Sequence, residues 1–298
     1  MAGCHVSACA ATASEAGLMD DELIRLSATA RKAASIGGEE LMRHYGQLEM
    51  IRNKGRAGDL VTSADLAAEQ AVLDLLYTVT PEIGVLAEEC GMRQGNTELR
   101  WCVDPLDGTT NFAHGYPLFA CSIGLTWKNR PVLGAIAVPF LKELFWAVPG
   151  HGAFCNGQRV HISLCNSLQD SLLVTGFAYD RHMCLENNYA EFCWLTHKTR
   201  GVRRGGAAAV DLAFVAAGRL DGYWERGLAP WDLAAGVALV DLAGGTVSSL
   251  NGSSFDLDEG CILAGSAPLH RCLLEELNQV IPLPGKAFGA PELGSVES

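Results

Sequence analysis

The sequence predicts a mixed α/β protein in which two helices lead into a run of antiparallel strands, followed by alternating strands and helices. Three observations predict it. Apolar residues recur at helical spacing from Asp20 to about Tyr45. Residues 118 to 148 alternate in polarity between Gly and Pro breaks, and strand and helix patterns take turns after about residue 160. With 298 residues, 49% of them apolar, the chain can bury a sizeable core.

The first half contains two predicted helices and two predicted buried strands. The first helix starts behind an Asp20 or Asp21 cap, and the second begins near Ser63 or Asp65 and ends at Pro81. Asp65 would lie at a helix start, where the helix dipole favours a carboxylate. Residues 85–87 and 101–103 read as short strands that lead into carboxylates, so two strand ends can supply one site.

The second half begins with an Asn156-Gly157 hairpin turn that continues the antiparallel run. A strand is predicted over residues 171–176, and helices are predicted within 186–199, 207–217 and 232–243. Residues 1–17 are predicted to be a disordered tail, since they are small and form no clear pattern. Residues 283–298, rich in Pro and Gly, are predicted to be a flexible tail.

Composition excludes several classes of function. A net charge of -12 argues against broad binding to nucleic acid or anionic lipid. No apolar run approaches the roughly 20 residues of a membrane span, and the first seventeen residues lack the pattern of a signal peptide. Eleven cysteines without a Cys-x-x-Cys pair favour free thiols in a reducing compartment. We therefore expect a cytoplasmic protein with no membrane partner and no direct nucleic-acid partner.

The most informative segment is residues 101–112, Trp-Cys-Val-Asp-Pro-Leu-Asp-Gly-Thr-Thr-Asn-Phe. An apolar run stops at Asp104 and Asp107, which can face one cation because Pro105 disfavours helix and Gly108 permits a tight turn. Carboxylate oxygens suit Mg²⁺ or Mn²⁺ rather than zinc, which prefers sulfur and imidazole ligands. The segment therefore predicts a metal site at the end of a strand.

Residues 101–112 resemble the central signature of the inositol monophosphatase family of Mg²⁺-dependent, lithium-sensitive phosphatases, and other segments match in the same order. They are Gly58–Asp65, Ala87–Glu89, Arg203–Leu212, Trp224–Glu225 and Pro230–Gly236. The resemblance covers roughly residues 20 to 280. It implies a layered αβαβα sandwich over residues 18–282, with an α+β half to about residue 148 and an α/β half after it, and it implies a homodimer.

The resemblance also implies the role of each site residue. Two or three Mg²⁺ ions, with Mn²⁺ as an alternative, would bind the metal set Glu88, Asp104, the Leu106 carbonyl, Asp107 and Asp232. Thr109 and Asp65 would orient and deprotonate the attacking water, and Glu88 would also serve catalysis. Glu89 ranks below Glu88 as a ligand. The substrate would contact Asp107, Gly108, Thr109, Gly206, Ala207, Ala208, Glu225 and Asp232. The loop from Lys54 to Asp59 would close over a weaker metal position.

The implied activity is hydrolysis of inositol monophosphate, or of a similar polyol or sugar phosphate, by attack of a metal-activated water. Histidinol phosphatase, fructose-1,6-bisphosphatase and nucleotide 3'-phosphatase are alternatives, as is a regulatory binding protein with residual activity. Ala207 stands where family members often carry a hydroxyl, which leaves the substrate open. Arg203 and Arg204 either contact a second anionic group or form salt bridges at an interface.

Overall fold

The computed structural model describes residues 7–47, 51–53, 60–179, 181 and 184–283. Its helices are α1 (Ala8–Glu15), α2 (Asp20–His44), α3 (Ser63–Val79), α4 (Thr109–Ala113), α5 (Tyr189–Lys198), α6 (Ala208–Ala216), α7 (Pro230–Leu242) and α8 (Ala267–Leu277), with a 3-10 turn at Pro139–Leu141. The helices predicted at α2, α3, α5, α6 and α7 are confirmed. Among the described residues, none of the helices is both long enough and apolar enough to cross a bilayer.

The first half of the chain forms a small ribbon and most of an eight-stranded sheet. The strands are β1 (Ile51–Asn53), β2 (Leu60–Thr62), β3 (Gly84–Ala87), β4 (Gly91–Arg93), β5 (Leu99–Asp107), β6 (Ala120–Trp127), β7 (Arg130–Val138), β8 (Glu143–Val148), β9 (Gly152–Cys155) and β10 (Gln158–Val160). Strands β1 and β2 pair with each other, and the large sheet has the order β10-β9-β8-β7-β6-β5-β3-β4. Only the β3–β5 pair of the large sheet is parallel.

The predicted antiparallel run and its hairpin turn are confirmed. Asn156 and Gly157 both have positive φ, 48° and 82°, as a two-residue turn between β9 and β10 requires. Because β9 pairs with β8 and β10 pairs with β9, the first sheet extends to Val160. The change from one sheet to the other therefore comes after Val160, later than the boundary predicted at about residue 148.

A five-stranded mixed sheet occupies the second half. Its strands are β11 (Leu172–Thr175), β12 (Gly201–Arg203), β13 (Gly222–Arg226), β14 (Thr246–Ser248) and β15 (Cys261–Gly265), in the order β12-β11-β13-β15-β14. Strand β11 is parallel to β12 and β13, whereas β15 is antiparallel to β13 and β14.

Three apolar clusters show that the elements stack in five layers. The first cluster joins α2 and α3, through Leu26 and Val72, to one face of the large sheet. The second cluster fills the space between the two sheets, where α6 and α7 lie. The third covers the outer face of the small sheet with α5 and α8, as in the packing of Leu195 and Leu273 around Trp224. The predicted αβαβα sandwich is confirmed.

Small residues allow α7 to lie close against the large sheet. A Cβ atom built at Gly124 of β6 would lie 2.5 Å from the Cβ of Ala234, and one at Gly134 of β7 would lie 2.5 Å from the Cα of Ala235. No side chain fits between the strands and the helix at these points. The close contact fixes the position of α7, and so of Asp232 in its first turn.

The prediction of a disordered tail over residues 1–17 is wrong where α1 forms. The Asp241 carboxylate of α7 accepts hydrogen bonds from the Ser7 hydroxyl at 2.5 Å and from the amides of Ala8 and Cys9 at 3.1 and 2.9 Å. A distant carboxylate thus holds the free amides at the start of α1, which a local pattern cannot reveal. Residues 1–6, the Lys54 to Asp59 loop and residues 284–298 lie outside the described residues.

Candidate active site

Two parallel strands bring the first carboxylates together. Ala87 of β3 is in register with Val103 of β5, so Glu88 and Asp104 follow at the same edge of the sheet. The amide of Glu88 donates a 3.1 Å hydrogen bond to the carbonyl of Val103, which continues the pairing past the end of β3. Glu88 lines the pocket described below, whereas Glu89 is not among its lining residues.

An irregularity in β5 turns its end into a site. The pairing of β5 with β6 shifts register between Asp104 and Asp107, where Pro105 has no amide hydrogen to donate. In this segment the amide of Leu106 donates to Asp104 Oδ1 at 3.0 Å. Gly108 then adopts a φ of 88°, and a Cβ there would lie 3.0 Å from the Leu118 carbonyl oxygen. As a result of this irregular strand end and the turn that follows it, Asp104 and Asp107 line the same pocket.

Two helix starts face the end of β5. Asp107 accepts hydrogen bonds from the amides of Ala208 and Ala209, at 3.1 and 2.7 Å, and so lies at the start of α6. Asp232, in the first turn of α7, accepts one from the amide of Ala229 at 2.7 Å. Free amides and the helix dipole stabilise a carboxylate at such a position. Each carboxylate is therefore held by backbone donors.

Thr109 and Asp65 form the predicted pair. The Thr109 hydroxyl lies 3.2 Å from Asp65 Oδ1 and 3.0 Å from the Leu106 carbonyl oxygen. Asp65 Oδ2 accepts from the amide and the hydroxyl of Thr62, at 2.8 and 2.6 Å, within the cap of α3. Asp65 is completely buried behind Thr109, so one of its oxygens is fixed and the other faces the threonine.

Most of the predicted site residues line one pocket with a volume of about 270 Å³. The predicted residues that line it are Glu88, Asp104, Leu106, Asp107, Gly108, Thr109, Gly206, Ala207, Ala208, Glu225 and Asp232. Sequence reasoning missed the lining residues Gly176, Phe177, Ala178, Tyr179 and Asp211. Residues 176–179, which follow β11, contain no charged residue and no recognised motif that could have revealed them. Trp231 and Arg204 also line the pocket.

Glu225 lies on the other side of the pocket, on β13. The Tyr223 hydroxyl, on the same face of the strand, donates a 2.5 Å hydrogen bond to Glu225 Oε2. A Cβ built at Gly176 would lie 2.1 Å from Glu225 Oε1, so the carboxylate lies directly against the backbone that follows the neighbouring strand β11. The orientation of Glu225 is thus set by a buried tyrosine and by a glycine.

Burial and mutual repulsion raise the pKa values of the carboxylates. The pKa of Asp104 lies well above its usual range because of its burial and then because of Glu88, Asp107 and Asp232. Burial raises the pKa of Asp107 to about 7, although the amides of Ala209 and Ala208 oppose the shift. Without cations, the pocket therefore favours protonated carboxyl groups over a set of like charges.

Comparison with known proteins decides the family. The model of the inositol monophosphatase family matches residues 22–282. The chain belongs to this family. It is 49% identical to an inositol-1-monophosphatase of Synechocystis over 253 residues, which cover 85% of this chain and 87% of that protein. The structure of an inositol monophosphatase from Anabaena superposes with a TM-score of 0.81 at 45% identity, and the match covers 88% of this chain and 98% of that one.

A further relative is the Nus factor SuhB of Pseudomonas aeruginosa, which is 42% identical over 259 residues, covering 85% of this chain and 96% of that protein. The family resemblance of the sequence is confirmed. The predicted enzyme class, a phosphoric monoester hydrolase, is confirmed with it.

The donors in this inositol monophosphatase family member fit a hard cation. Among the described residues that line the pocket at the β5 end, the polar side chains are carboxylates and the Thr109 hydroxyl, without sulfur or imidazole. In the described part of the chain, no three His, Cys, Asp or Glu side chains are arranged closely enough to hold a metal ion as they stand. The carboxylates instead share the pocket, and several accept hydrogen bonds from backbone amides. The donor chemistry therefore fits a hard divalent cation.

Proposed function

We propose that residues 18–282 form the catalytic domain of a Mg²⁺-dependent phosphatase that hydrolyses inositol monophosphate or a closely similar polyol phosphate. One observation carries the proposal. Four carboxylates from three separate segments, those of Glu88, Asp104, Asp107 and Asp232, line the same pocket as Thr109, whose hydroxyl is backed by Asp65. The sequence relatives named as inositol-1-monophosphatases support the choice of substrate.

Two or three Mg²⁺ ions, or Mn²⁺ in their place, would be held by Glu88, Asp104, Asp107, Asp232 and the Leu106 carbonyl. When bound, the cations supply positive charge that offsets the two negative charges of a phosphate monoester and stabilises the leaving oxygen. Without metal, the neighbouring carboxylates repel one another in their ionised form. The positive charge of bound cations would stabilise that ionised form.

Thr109 and Asp65 provide a path for the proton of the attacking water. The threonine hydroxyl can donate its own proton towards Asp65 Oδ1, which leaves a lone pair on Oγ1 to accept a proton from water. Asp65 Oδ2 is already occupied by two donors from Thr62, so only Oδ1 is available for this exchange. The pair therefore orients the water and withdraws its proton without a covalent phosphoenzyme.

The substrate would lie between the turn at Gly108 and the strand that carries Glu225. We assign the phosphate to the side of Asp107, Gly108, Thr109 and Asp232. The polyol hydroxyls would donate to Glu225, while the ring would lie against the backbone of Gly206, Ala207 and Ala208, which line the same pocket. The regulatory alternative is not favoured, because the chain carries the complete set of carboxylates and the threonine pair.

We also infer a homodimer and a cytoplasmic location. The family resemblance supports the first, and eleven cysteines without a Cys-x-x-Cys pair support the second. Light scattering coupled to size-exclusion chromatography of the full chain tests the dimer, and a mass of one chain would exclude it. Immunolocalisation or fractionation of the source cells tests the location, and recovery outside the cytoplasm would exclude it.

The activity is tested by phosphate release from inositol 1-phosphate with MgCl₂ and with excess EDTA. We expect release only with the metal, and we expect slower release from histidinol phosphate, fructose 1,6-bisphosphate and a nucleoside 3',5'-bisphosphate. Asp170→Asn is a matched control, because Asp170 is exposed and pairs with the surface residue Arg200. Metal-independent release, or a preference for another ester, would overturn the proposal.

A further inference from the structure

Asn188 lies at the start of α5 but does not cap it. Asparagine at a helix start usually accepts a hydrogen bond from one of the first free amides of the helix. Asn188 has a φ of 71°, in the left-handed region that asparagine tolerates better than most residues, and its side chain makes no such bond. The residue is only 1% exposed, so the polar atoms of its side chain need other partners.

The partners of Asn188 are two neighbouring strands of the small sheet. Its amide nitrogen donates to Thr175 Oγ1 and to the carbonyl oxygen of Gly176, both at 2.7 Å. Its amide oxygen accepts from the indole Nε1 of Trp224 at 2.6 Å. Thr175 ends β11 and is in register with Trp224 of β13. One side chain therefore ties the end of β11, and the residue that follows it, to β13.

Asn188 acts from the side of the small sheet that faces away from the pocket. Successive side chains of a strand point to opposite faces, so Trp224 and Glu225 point in opposite directions. Trp224 belongs to the apolar cluster of the outer face, whereas Glu225 lines the pocket. Asn188 is not among the described residues that line the pocket. Its effect on a substrate would therefore pass through the residues that it holds.

Gly176 connects Asn188 to Glu225. A Cβ built at Gly176 would lie 2.1 and 2.2 Å from the two carboxyl oxygens of Glu225, so backbone and carboxyl group lie against each other. The Tyr223 hydroxyl holds Glu225 Oε2 through a 2.5 Å hydrogen bond. The carboxyl group is thus enclosed by a buried tyrosine and by the backbone whose carbonyl Asn188 binds. Whether or not Glu225 is ionised, one of its oxygens can accept from a hydroxyl, so its position matters here.

Aromatic contacts attach the residue after Gly176 to α5 as well. Phe177 lines the pocket, and its ring centroid lies 5.0 Å from that of Tyr189 and 5.6 Å from that of Phe192. Both partners follow Asn188 in the first turns of α5. The start of α5 therefore supports this wall of the pocket through one hydrogen-bonding side chain and two rings.

We propose that Asn188 is a positioning residue for the polyol end of the pocket: it holds Gly176 against Glu225 and so fixes the oxygen that accepts from the substrate hydroxyls. An asparagine amide supplies both the two donors and the acceptor that its three partners require. The inference rests on the proposed function, in which Glu225 binds these hydroxyls. It assigns a role in substrate binding to a residue that lies outside the pocket.

The test uses the full-length protein with saturating MgCl₂, inositol 1-phosphate as the substrate and inorganic phosphate as a competitive inhibitor. Inorganic phosphate carries no ring hydroxyls, so its Ki reports on the phosphate side of the pocket alone. Asn188→Gly permits the left-handed backbone and removes all three side-chain hydrogen bonds. We expect KM to rise about tenfold, as loss of one hydrogen bond to the substrate would cause. The kcat and the Ki of phosphate should stay unchanged, because the lost contact serves binding.

Two further variants connect the effect to Glu225. Asn188→Asp keeps an acceptor for the Trp224 indole but loses both donors, so it should raise KM as Asn188→Gly does. In the Glu225→Ala background, Asn188→Gly should change KM little, because the group that it positions is absent. This double-mutant comparison separates positioning of Glu225 from a general loss of stability.

Asn156→Gly is the matched control. Asn156 also has a positive φ, 48°, and its side chain also bonds two backbone groups, the Leu144 amide at 2.9 Å and the Lys142 carbonyl at 3.0 Å. It lies in the turn between β9 and β10 and does not line the pocket, so the control should leave KM unchanged.

Three results would overturn the inference: an unchanged KM in a folded Asn188→Gly, an equal rise in the Glu225→Ala background, or an equal rise in Asn156→Gly. If Asn188→Gly does not fold, Asn188→Asp, which has nearly the native shape, decides by the same criteria. A wild type that releases no phosphate from inositol 1-phosphate overturns the proposed function instead.

Discussion

The Thr109 hydroxyl lies 3.2 Å from Oδ1 of Asp65, a completely buried carboxylate 44 positions earlier in the chain. Asp65 also closes the cap of α3 through Thr62, so a helix start and the proposed catalytic pair share one side chain. The hydrogen bonds from Thr62 to Oδ2 orient the other oxygen of Asp65, Oδ1, towards Thr109. In the proposed mechanism, Thr109 accepts a proton from water, whereas the metal set holds the cations.

Thr109→Ala should lower kcat far more than it lowers the affinity for Mg²⁺, because we propose that the hydroxyl orients the attacking water and does not bind a cation. Each tenfold loss corresponds to about 1.4 kcal/mol of transition-state stabilisation, and we expect two or more such steps. Steady-state kinetics across a MgCl₂ titration measure both quantities. Thr109→Ser keeps the hydroxyl and should retain most of the turnover, whereas equal weakening of turnover and metal affinity would identify Thr109 as a ligand.

Asp104→Asn should abolish most of the Mg²⁺-dependent activity and yet stabilise the metal-free protein. The substitution removes one member of a crowded carboxylate set, whose repulsion raises the pKa of Asp104. A gain of about 1 kcal/mol would raise the melting temperature by roughly 2–4 °C for a domain of this size. Differential scanning fluorimetry in EDTA and in MgCl₂ measures the change.

The same experiment reports on the metal. MgCl₂ should raise the melting temperature of the wild type by mass action and should raise that of Asp104→Asn much less. Asp170→Asn should respond to MgCl₂ as the wild type does. A metal-free Asp104→Asn protein that melts below the wild type would contradict the repulsion that we infer.

The stability of the metal-free protein should fall between pH 5 and pH 8. Burial raises the pKa of Asp107 to about 7 and that of Glu225 to about 8, so the native state keeps protons that the unfolded chain has already lost. The native state then binds more protons, and the free energy of unfolding decreases as the pH rises through this window. Urea unfolding in EDTA at several pH values measures this slope.

Saturating Mg²⁺ should flatten the slope, because cations take the place of protons on the carboxylates near Asp104. Asp107→Asn in EDTA should flatten it as well, since one of the two groups no longer titrates. Stability in EDTA that stays constant or rises from pH 5 to pH 8 would show that folding does not raise the pKa values of these carboxyl groups.

Asp241→Ala should release α1 from the body of the protein. The carboxylate accepts three hydrogen bonds from Ser7, Ala8 and Cys9 at the start of the helix, and loss of a helix cap costs about 0.5–2 kcal/mol. Cys9, which is 2% exposed, should then react faster with iodoacetamide, as measured by peptide mass spectrometry. Asp241→Asn keeps one acceptor oxygen and should show a smaller increase, while unchanged protection of Cys9 in Asp241→Ala would mean that packing alone holds α1.

Lithium should inhibit hydrolysis of inositol 1-phosphate at millimolar order. The expectation rests on the family resemblance of Glu88, Asp104, Asp107 and the Lys54 to Asp59 loop, which together imply a weak metal position. Hydrolysis is measured against increasing LiCl at fixed ionic strength, with NaCl as the control. Equal responses to the two salts would mean that the chain lacks the lithium-sensitive arrangement.

The sequence by itself determined the elements whose signals are local. Neighbouring residues alone indicate three features: the helical periodicity of α2, the cap of α3 and the Asn156-Gly157 turn. The structure contains each of them. The strand-end carboxylates could also be predicted, because apolar strands that stop at acids in a parallel pair place those acids at one edge. The family resemblance then supplied the roles, including that of Glu225, which no local pattern indicates.

Only the tertiary structure decided the contacts between distant segments. Helix α1 exists because Asp241, 234 positions from Ser7, satisfies its first amides, so composition alone suggested disorder. The amides that hold Asp107 belong to α6, 101 and 102 positions later. Asp211 reads in the sequence as one more helical residue, and its buried position in the pocket lining follows from the packing of α6 between two sheets. Long-range packing creates both its burial and its charge environment, and neither property is encoded in its neighbours.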